Sequence, residues 1–165
     1  MNILITGVHG FVGSNLVKYL SKENTIYGLD IVQPQKEEVK KTFSWDELEQ
    51  PTAMPEIDAI IHLAGKAHDT RNKSAADVYF KVNTGLTQKI FDWYMASATA
   101  KKFVFFSTAK AAAECVPEIL LEDVTPTPKG PYGESKIKAE EYILDALENQ
   151  GVSRKSMSSI VPGTD

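Results

Sequence analysis

A tyrosine and a lysine four positions apart, Tyr132 and Lys136, are the pair in this sequence best suited to acid–base chemistry. Residues at this spacing lie on one face of a helix. An ammonium group beside a phenol favours the phenolate and lowers the pKa of the phenol from about 10. The tyrosine could then take a proton from a substrate hydroxyl. The alternative is that the pair belongs to a solvated helix face.

A hydroxyl residue, Thr108, ends a short apolar run upstream of that pair. Hydroxyl groups at the carboxyl ends of parallel strands face the ligand crevice of the sheet. Thr108 is therefore predicted to hold a substrate oxygen or the Tyr132 hydroxyl, and its neighbour Ser107 is the second candidate. The alternative is that the Thr108 hydroxyl satisfies nearby backbone groups.

Three glycines follow the first apolar run, within the segment TGVHGFVG. They are Gly7, Gly10 and Gly13. The first allows a tight turn, the second lets a ligand approach the backbone, and the third lets the next helix pack against the strand. The amides of Phe11 and Val12 then point toward an anion at the start of that helix. This pattern, between a strand and a helix, predicts a site for the pyrophosphate of a dinucleotide.

An acidic residue, Asp30, ends the second apolar run, 17 positions after Gly13. In dinucleotide-binding folds the acid that binds the ribose is expected about 20 positions on. A carboxylate accepts hydrogen bonds from both ribose hydroxyls but repels a 2′-phosphate, and no arginine follows directly. NAD is therefore predicted over NADP. The alternative is a plain glycine turn followed by a surface aspartate.

The elements that must hold these residues alternate between strand and helix patterns. Short apolar runs predict buried strands, and apolar residues every three to four positions predict helices. The predicted strands are Asn2–Thr6, Thr25–Asp30, Thr42–Trp45, Ile57–Ala64 and Phe103–Ser107, and the predicted helices are Phe11–Lys22, Ala75–Ala98 and Gly133–Glu148. Strands separated by helices pair in parallel through right-handed crossovers. The predicted fold class is therefore α/β with a doubly wound parallel sheet.

Apolar positions assign an inward face to the first two helices. They are Val12, Leu16 and Leu20 in the first, and Val78, Val82, Leu86 and Ile90 in the second. Polar or proline-rich stretches predict loops at Ile31–Lys41, Pro51–Pro55 and Val116–Pro131. We expect one dinucleotide-binding domain over residues 1–150, followed by an irregular, serine-rich tail at 151–165.

Composition argues against several classes of function. A net charge of −4 argues against a nucleic-acid partner, because binding of phosphates favours a basic face. No segment reaches the roughly 18 uninterrupted apolar residues of a membrane span. The single cysteine, Cys115, rules out an internal disulfide, so we expect a cytoplasmic protein. The three histidines, His9, His62 and His68, lack the spacing of metal ligands, and no metal site is expected.

Taken together, the segments resemble the extended short-chain dehydrogenase/reductase family, in its NAD-dependent epimerase/dehydratase group. The resemblance is carried by TGVHGFVG, GLD, IIHLAG, the helix around Asn83, FVFFST and YGESK, in family order from Met1 to about Glu148. It implies a Rossmann fold with NAD as cofactor. It also implies a nucleotide-sugar substrate, one hydroxyl of which is oxidised to a transient keto group. The stretch IIHLAGKAHDT is most similar to 4-epimerases and 4-reductases that act on such sugars.

The same resemblance implies roles for particular residues. The implied catalytic set is Thr108, Tyr132 and Lys136. The implied cofactor contacts, besides the glycine turn and Asp30, are Ile31, Leu63, Ala64, Gly65, Asn83, Ser107, Tyr132 and Lys136, with Asp46 near the adenine. The helices at 75–98 and 133–148 are implied to form the contact of a homodimer.

The sequence departs from the family in two places. Three alanines, Ala111 to Ala113, stand where the family usually has Val-Tyr-Gly shortly after the residue matching Thr108. Family members are also longer, and their C-terminal half supplies most of the nucleotide-sugar pocket. We therefore expect this chain to be truncated and to lack the substrate-binding domain. Three functions stay open: an enzyme with activity reduced by truncation, an NAD(H)-binding module, and an inactive remnant.

Overall fold

The computed structural model describes residues 1–50, 54–66, 75–112 and 125–151. The chain divides into two compact units. The first unit contains Met1–Ala64 and Ile90–Phe105, and the second contains Gly65–Lys89 and Phe106–Asp165. The five-stranded sheet and the glycine turn belong to the first unit, whereas Tyr132 and Lys136 belong to the second.

The first unit is built on a parallel sheet with the strand order β3-β2-β1-β4-β5. The strands are β1 (Asn2–Thr6), β2 (Thr25–Leu29), β3 (Lys41–Phe43), β4 (Ala59–His62) and β5 (Lys102–Phe105). From β1 the chain winds outward to β3, then returns past β1 to β4 and β5. This order confirms the predicted doubly wound, Rossmann-type fold class. The direction of winding reverses between β1 and β4, where Thr6 pairs with His62.

The apolar run of β1 explains its central place in the sheet. Leu4 and Ile5 are fully buried, as expected of a strand covered on both faces. Successive side chains of a strand point to opposite faces. Accordingly, Leu4 packs in one apolar cluster with Ile60, whereas Ile5 packs in another with Val17.

Strand ends differ from the sequence prediction by one to two residues. The bounds of β1 were predicted correctly. Strand β2 ends at Leu29, so Asp30 lies just beyond it, and β3 begins and ends earlier than the predicted Thr42–Trp45. Strand β4 is shorter than Ile57–Ala64 at both ends. These differences matter little for the core, because the predicted and observed strands share their buried centres.

Helix α1 (Phe11–Leu20) follows the glycine turn and ends two residues before the predicted Lys22. Its buried residues are Gly13 and Val17, whereas Val12 is 41% exposed. The prediction of Val12 as a core residue was therefore wrong. Gly13 takes the inward position of the first turn because the helix begins directly against the glycine turn and leaves no room for a side chain there.

The helix predicted over Ala75–Ala98 consists of three consecutive segments. They are α2 (Ala76–Tyr79), a π-helical segment (Phe80–Thr84) and α3 (Gly85–Ala96). Ile90 is buried as predicted, but Val78 is 38% exposed, and further buried positions of the helix are Tyr79, Asn83 and Thr87. Prediction of Val78 as an inward residue was therefore wrong. Hydropathy missed this face because Asn83 and Thr87 are polar and are buried with hydrogen-bond partners.

The segments around the predicted active site also have different ends. Strand β5 ends at Phe105, so Ser107 and Thr108 lie beyond it, before a short helix α4 (Ala109–Ala112) that was not predicted. Helix α5 (Gly130–Glu148) begins three residues before the predicted Gly133. Pro131 is thus in the first turn of α5 rather than in a loop. Proline suits that turn because its missing N–H has no intrahelical acceptor to lose.

Several predicted features lie outside the described residues. They are residues 51–53 and 116–124 of the predicted loops, the tail from residue 152 onward, Ala113, His68 and Cys115. Among the helices that the structure describes, none combines the length and the hydropathy needed to span a bilayer.

Candidate functional site

The glycine turn between β1 and α1 depends on two close approaches of backbone. Gly7 has φ of 67°, in the left-handed region that favours glycine. A Cβ at Gly7 would lie 3.0 Å from the amide nitrogen of Ala64. A Cβ at Gly13 would clash with the carbonyl oxygen of Gly7 and lie 2.8 Å from the Cα of Val8. Only glycine at these positions lets α1 begin so close to β1.

The start of α1 fits an anionic ligand. Gly10 is the N-cap residue and offers no side-chain acceptor to the first turn. The first amides of a helix lack intrahelical acceptors and carry partial positive charge. The side chains of Phe11 and Val12 are 87% and 41% exposed. A pyrophosphate could therefore be held by the amides of these two residues, as the sequence predicted.

The carboxylate of Asp30 is held in place by three backbone amides. Its Oδ2 accepts a hydrogen bond from the His9 N–H at 3.0 Å. Its Oδ1 accepts from the N–H groups of Ile31 at 2.7 Å and Val32 at 3.4 Å. A carboxylate has about four acceptor positions, so Asp30 keeps capacity for a ribose hydroxyl. The side chain of Ile31, next to it, is 85% exposed.

His9 connects the glycine turn to β3. Its backbone N–H is bonded to Asp30, and its Nε2 lies 3.0 Å from the Oγ1 of Thr42. The first contact fixes the Asp30 carboxylate relative to the glycine turn, and the second joins the turn to β3. His9 therefore has a polar, structural role next to the predicted cofactor contacts.

A buried hydroxyl at the end of β1 positions the chain after β4. The Oγ1 of Thr6 accepts hydrogen bonds from the N–H groups of Leu63 at 3.1 Å and Ala64 at 2.9 Å. It also lies 2.6 Å from the Nδ1 of His62. A hydroxyl oxygen accepts two bonds and donates one, so the Thr6 proton is directed to Nδ1, which is the acceptor. Leu63 and Ala64, two predicted cofactor contacts, are held in this way.

In the second unit, Tyr132 and Lys136 lie one turn apart on α5, as their spacing predicted. Lys136 is only 6% exposed, and its Nζ donates a hydrogen bond to the carbonyl oxygen of Phe106 at 2.7 Å. Burial lowers the pKa of Lys136 to about 8, and the charge of Glu140 opposes this shift. The ring of Tyr132 meets that of Tyr79 edge-on, with 6.3 Å between centroids. The ammonium group thus has a fixed position next to α5.

Both the oxygen and the nitrogen of the Asn83 side-chain amide form hydrogen bonds within the second unit. Its Oδ1 accepts from the N–H of Lys66 at 2.7 Å, and its Nδ2 donates to Lys66 O at 3.2 Å and to Ser135 Oγ at 2.9 Å. The Ser135 hydroxyl in turn donates to the carbonyl oxygen of Tyr132 at 2.8 Å. Asn83 therefore positions α5 and the residue after Gly65. Direct contact of Asn83 with a cofactor stays a prediction.

The hydroxyl groups after β5 have different partners. Ser107 Oγ donates a hydrogen bond to Glu140 Oε1. Thr108 Oγ1 accepts a hydrogen bond from the N–H of Lys110 at 3.3 Å. This is a bond to nearby backbone, as the alternative interpretation of Thr108 predicted. Accepting that bond leaves the Thr108 proton for another acceptor. Contacts of Thr108 with a substrate, and of Ser107 with a cofactor, stay predictions.

Three residues of these networks were missed in the sequence. Thr6 could have been found as a polar residue ending an otherwise apolar strand, where a buried hydroxyl needs partners. Glu140 follows Lys136 by four positions, a spacing at which opposite charges interact on a helix. Ser135 gave no such signal, because its partner Asn83 is 52 positions away.

The chain belongs to the NAD-dependent epimerase/dehydratase family. Residues 3–158 match the family described as "NAD dependent epimerase/dehydratase family". This confirms the family predicted from the motifs, and the cofactor named by the family is the one predicted from Asp30.

Individual relatives match this chain at modest sequence identity. D-erythronate dehydrogenase of Haemophilus influenzae is 26% identical over 158 residues, which cover 88% of this chain and 50% of the relative. UDP-glucose 4-epimerase of Streptococcus mutans is 28% identical over 153 residues, 85% of this chain and 45% of the relative. A solved structure, UDP-glucuronic acid 4-epimerase of Bacillus cereus in complex with UDP-glucuronic acid and NAD, has a TM-score of 0.76 at 25% identity. It covers 92% of this chain and 54% of that chain. The chain thus spans about half the length of these relatives.

Proposed function

We propose that this chain carries the cofactor-binding and acid–base residues of an NAD-dependent enzyme that acts on a nucleotide sugar through a transient keto intermediate. The support is family membership over residues 3–158 together with the Tyr132–Lys136 pair on α5. The relatives named above include epimerases of UDP sugars. The epimerase chemistry is favoured over dehydration because the stretch around IIHLAG resembles 4-epimerases and 4-reductases.

In this proposal the first unit binds NAD. The amides of Phe11 and Val12 bind the pyrophosphate, and Asp30 accepts hydrogen bonds from the adenosine ribose. NAD, when bound, supplies the oxidising chemistry, in which a hydride leaves the sugar carbon that bears the hydroxyl. The carboxylate of Asp30 disfavours a 2′-phosphate by like charge, so NADP binds more weakly.

The second unit supplies the proton chemistry. Tyr132 takes the proton from the sugar hydroxyl as it is oxidised, and returns it when the keto group is reduced. The Lys136 ammonium stabilises the phenolate of Tyr132. Thr108 donates a hydrogen bond to the substrate oxygen or to the Tyr132 hydroxyl. The single observation that carries this assignment is the buried Lys136 one turn from Tyr132, with its ammonium group fixed on Phe106 O.

The direct test is turnover of a UDP-hexose by the full chain with NAD, followed by NMR of the sugar. We expect an epimerised product, and Tyr132→Phe should lower kcat by about 100-fold or more, the contribution usual for general acid–base catalysis. Tyr19→Phe is the matched control, since Tyr19 is 75% exposed on α1 and should leave kcat unchanged. Both variants should bind NAD as the parent chain does.

Other outcomes favour the alternatives. The chain spans about half the length of its relatives, and this observation supports an NAD(H)-binding module as the second candidate. Saturable NAD binding without turnover of any UDP sugar would support that module and contradict the enzyme. Absence of NAD binding would contradict both and leave the inactive remnant.

We also infer that the chain forms a homodimer through the helices at 75–98 and 133–148. Support comes from the family resemblance alone, and the test of this inference is given in the Discussion. Residues 1–150 are proposed to form the NAD-binding part of the protein.

A further inference from the structure

Two residues of α5, one helical turn apart, hold two consecutive residues of the segment that follows β5. Lys136 Nζ donates to the carbonyl oxygen of Phe106 at 2.7 Å. Glu140 Oε1 accepts a hydrogen bond from the Ser107 hydroxyl. The next residue in the chain is Thr108, the proposed substrate-binding hydroxyl. Helix α5 is thus joined by two hydrogen bonds to the segment that carries Thr108.

Burial disfavours the charged forms of Lys136 and Glu140, whereas the attraction between the two groups favours them. Ser107 and Lys136 are 5% and 6% exposed, and Glu140 is partly buried. Burial lowers the pKa of Lys136 to about 8, and Glu140 opposes that. Burial also raises the pKa of Glu140, while the hydrogen bond from Ser107 and the charge of Lys136 lower it and the charge of Glu141 raises it. Each charged form is therefore stabilised by the other.

We propose that Glu140 is a positioning residue, whose carboxylate fixes the Ser107 hydroxyl and keeps the Lys136 ammonium charged, so that Thr108 and the cation are held ready for the reaction at Tyr132. The part that concerns the reaction rests on the proposed function. The coupling of Glu140 to Lys136 and to Ser107 is independent of it. Glu140 touches neither substrate nor cofactor in this proposal, and it acts through its two neighbours.

Two substitutions separate the charge of Glu140 from its hydrogen bond. Glu140→Gln keeps an oxygen for the Ser107 hydroxyl and removes the charge. Ser107→Ala removes the hydroxyl and keeps the charge. The matched control is Glu141→Gln, which removes the exposed carboxylate next in the chain.

The experiment is an NMR titration of the full chain with lysine labelled at 13Cε, from about pH 6 to about pH 11, on both sides of the ordinary lysine pKa. The Lys136 signal is identified by its absence from Lys136→Arg. We expect a midpoint near 8 in the parent chain, a lower midpoint in Glu140→Gln, and an unchanged midpoint in Glu141→Gln. An unchanged or higher midpoint in Glu140→Gln would overturn the proposal.

A second titration covers the case in which Glu140→Gln does not fold. With glutamate labelled at 13Cδ, Ser107→Ala should raise the midpoint of Glu140, because the hydroxyl no longer stabilises its charged form. Equal midpoints in Ser107→Ala and the parent chain would contradict the Ser107–Glu140 bond on which the proposal depends.

Turnover gives a readout that a purely structural role would not move. If Lys136 must be charged for turnover, kcat/KM of Glu140→Gln should begin to fall at a lower pH than kcat/KM of the parent chain. Below that pH the two proteins should have similar activity. A parallel loss at every pH would contradict a positioning role through Lys136. If the parent chain shows no turnover at all, the proposed function fails, whereas the two NMR titrations still decide whether Glu140 is coupled to Lys136 and Ser107.

Discussion

At the scale of single residues, Asp30 is the side chain that we expect to select the dinucleotide. Its carboxylate is held by the amides of His9, Ile31 and Val32, so it is preorganised before a ribose arrives. Preorganisation raises affinity because less freedom is lost on binding. We expect the charge of Asp30 to disfavour a cofactor that bears a 2′-phosphate relative to NAD.

Asp30→Asn should weaken NAD binding. The substitution removes the charge but retains one acceptor oxygen, and a hydrogen bond to a charged group contributes about 1.5–3 kcal/mol. We expect the dissociation constant for NAD to rise about 10- to 100-fold and the preference for NAD over NADP to fall, as measured by calorimetry. Glu37→Gln, at an exposed carboxylate of the loop after β2, should change neither. Equal NAD affinity in Asp30→Asn and the parent chain would remove Asp30 from the site.

Lys136, which we propose as a functional residue, should lower the stability of the fold because its charge is buried. Its pKa falls from 10.5 to about 8 in the fold, which corresponds to about 3 kcal/mol against the charged form. Lys136→Met should therefore raise the free energy of unfolding at neutral pH by on the order of 1–2 kcal/mol, after the lost bond to Phe106 O is subtracted. Urea unfolding measures this, with exposed Lys138→Met as control. A less stable Lys136→Met would show that the bond to Phe106 outweighs the cost of burial.

The same shift in the pKa of Lys136 predicts that the free energy of unfolding depends on pH. The pKa of Lys136 is lower in the folded than in the unfolded chain, so between about 8 and 10.5 the unfolded chain binds more protons. Stability of the parent chain should therefore rise with pH across this window relative to Lys136→Met. Unfolding free energies of the two chains, measured at several pH values, check the slope. A constant difference between them would contradict the shifted pKa.

At the scale of elements, the junction of β1 and α1 depends on glycine for close packing. Gly13→Ala would place a methyl group against the carbonyl oxygen of Gly7 and the Cα of Val8. Overpacking of this kind usually costs about 1–3 kcal/mol, and displacement of α1 should weaken NAD binding as well. Urea unfolding and calorimetry measure the two effects.

A matched control exists in the second unit. A Cβ at Gly85 would have only the carbonyl oxygen of Phe80 within 4 Å, at 3.8 Å. Alanine is favoured over glycine inside a helix by about 1 kcal/mol, so Gly85→Ala should be neutral or stabilising. If both variants behave alike, close packing at Gly13 does not explain the glycine there.

Elements were predicted well where local pattern decides them. Strand β1 and the start of α1 follow from an apolar run and a glycine turn, both of which are local in sequence. The inward faces of the helices were predicted less well. Burial of Asn83 and Thr87 in place of Val82 and Leu86 depends on partners elsewhere in the chain or on the adjacent helical turn, and hydropathy alone assigns such residues to the surface.

At the scale of the whole molecule, the predicted homodimer can be tested on the chain without any ligand. Sedimentation at micromolar concentration should give a mass of about twice 18.2 kDa. Val78→Glu places a charge on an exposed position of the 75–98 helix and should give the monomer. Val32→Glu, at an exposed valine of the first unit, should leave the dimer intact. A parent chain that sediments only as a monomer would contradict the interface.

The sequence by itself determined the fold class, the family and the types of residue at the candidate site. Each motif lies within a short segment, because turns and helix faces are local in the chain. The motifs are the glycine spacing, the acid after the second strand, and the tyrosine one turn before a lysine. Their order gave the family without any coordinates.

Only the tertiary structure decided how these side chains are held. The bond of Ser107 to Glu140, the anchoring of Lys136 on Phe106 and the support of Leu63 and Ala64 by Thr6 each join residues 30 to 58 positions apart. Such contacts, and the pKa shift that burial causes in Lys136, depend on which segments the fold brings together. No local pattern encodes them, because the same residues elsewhere in a fold would be solvated and would titrate at their ordinary values.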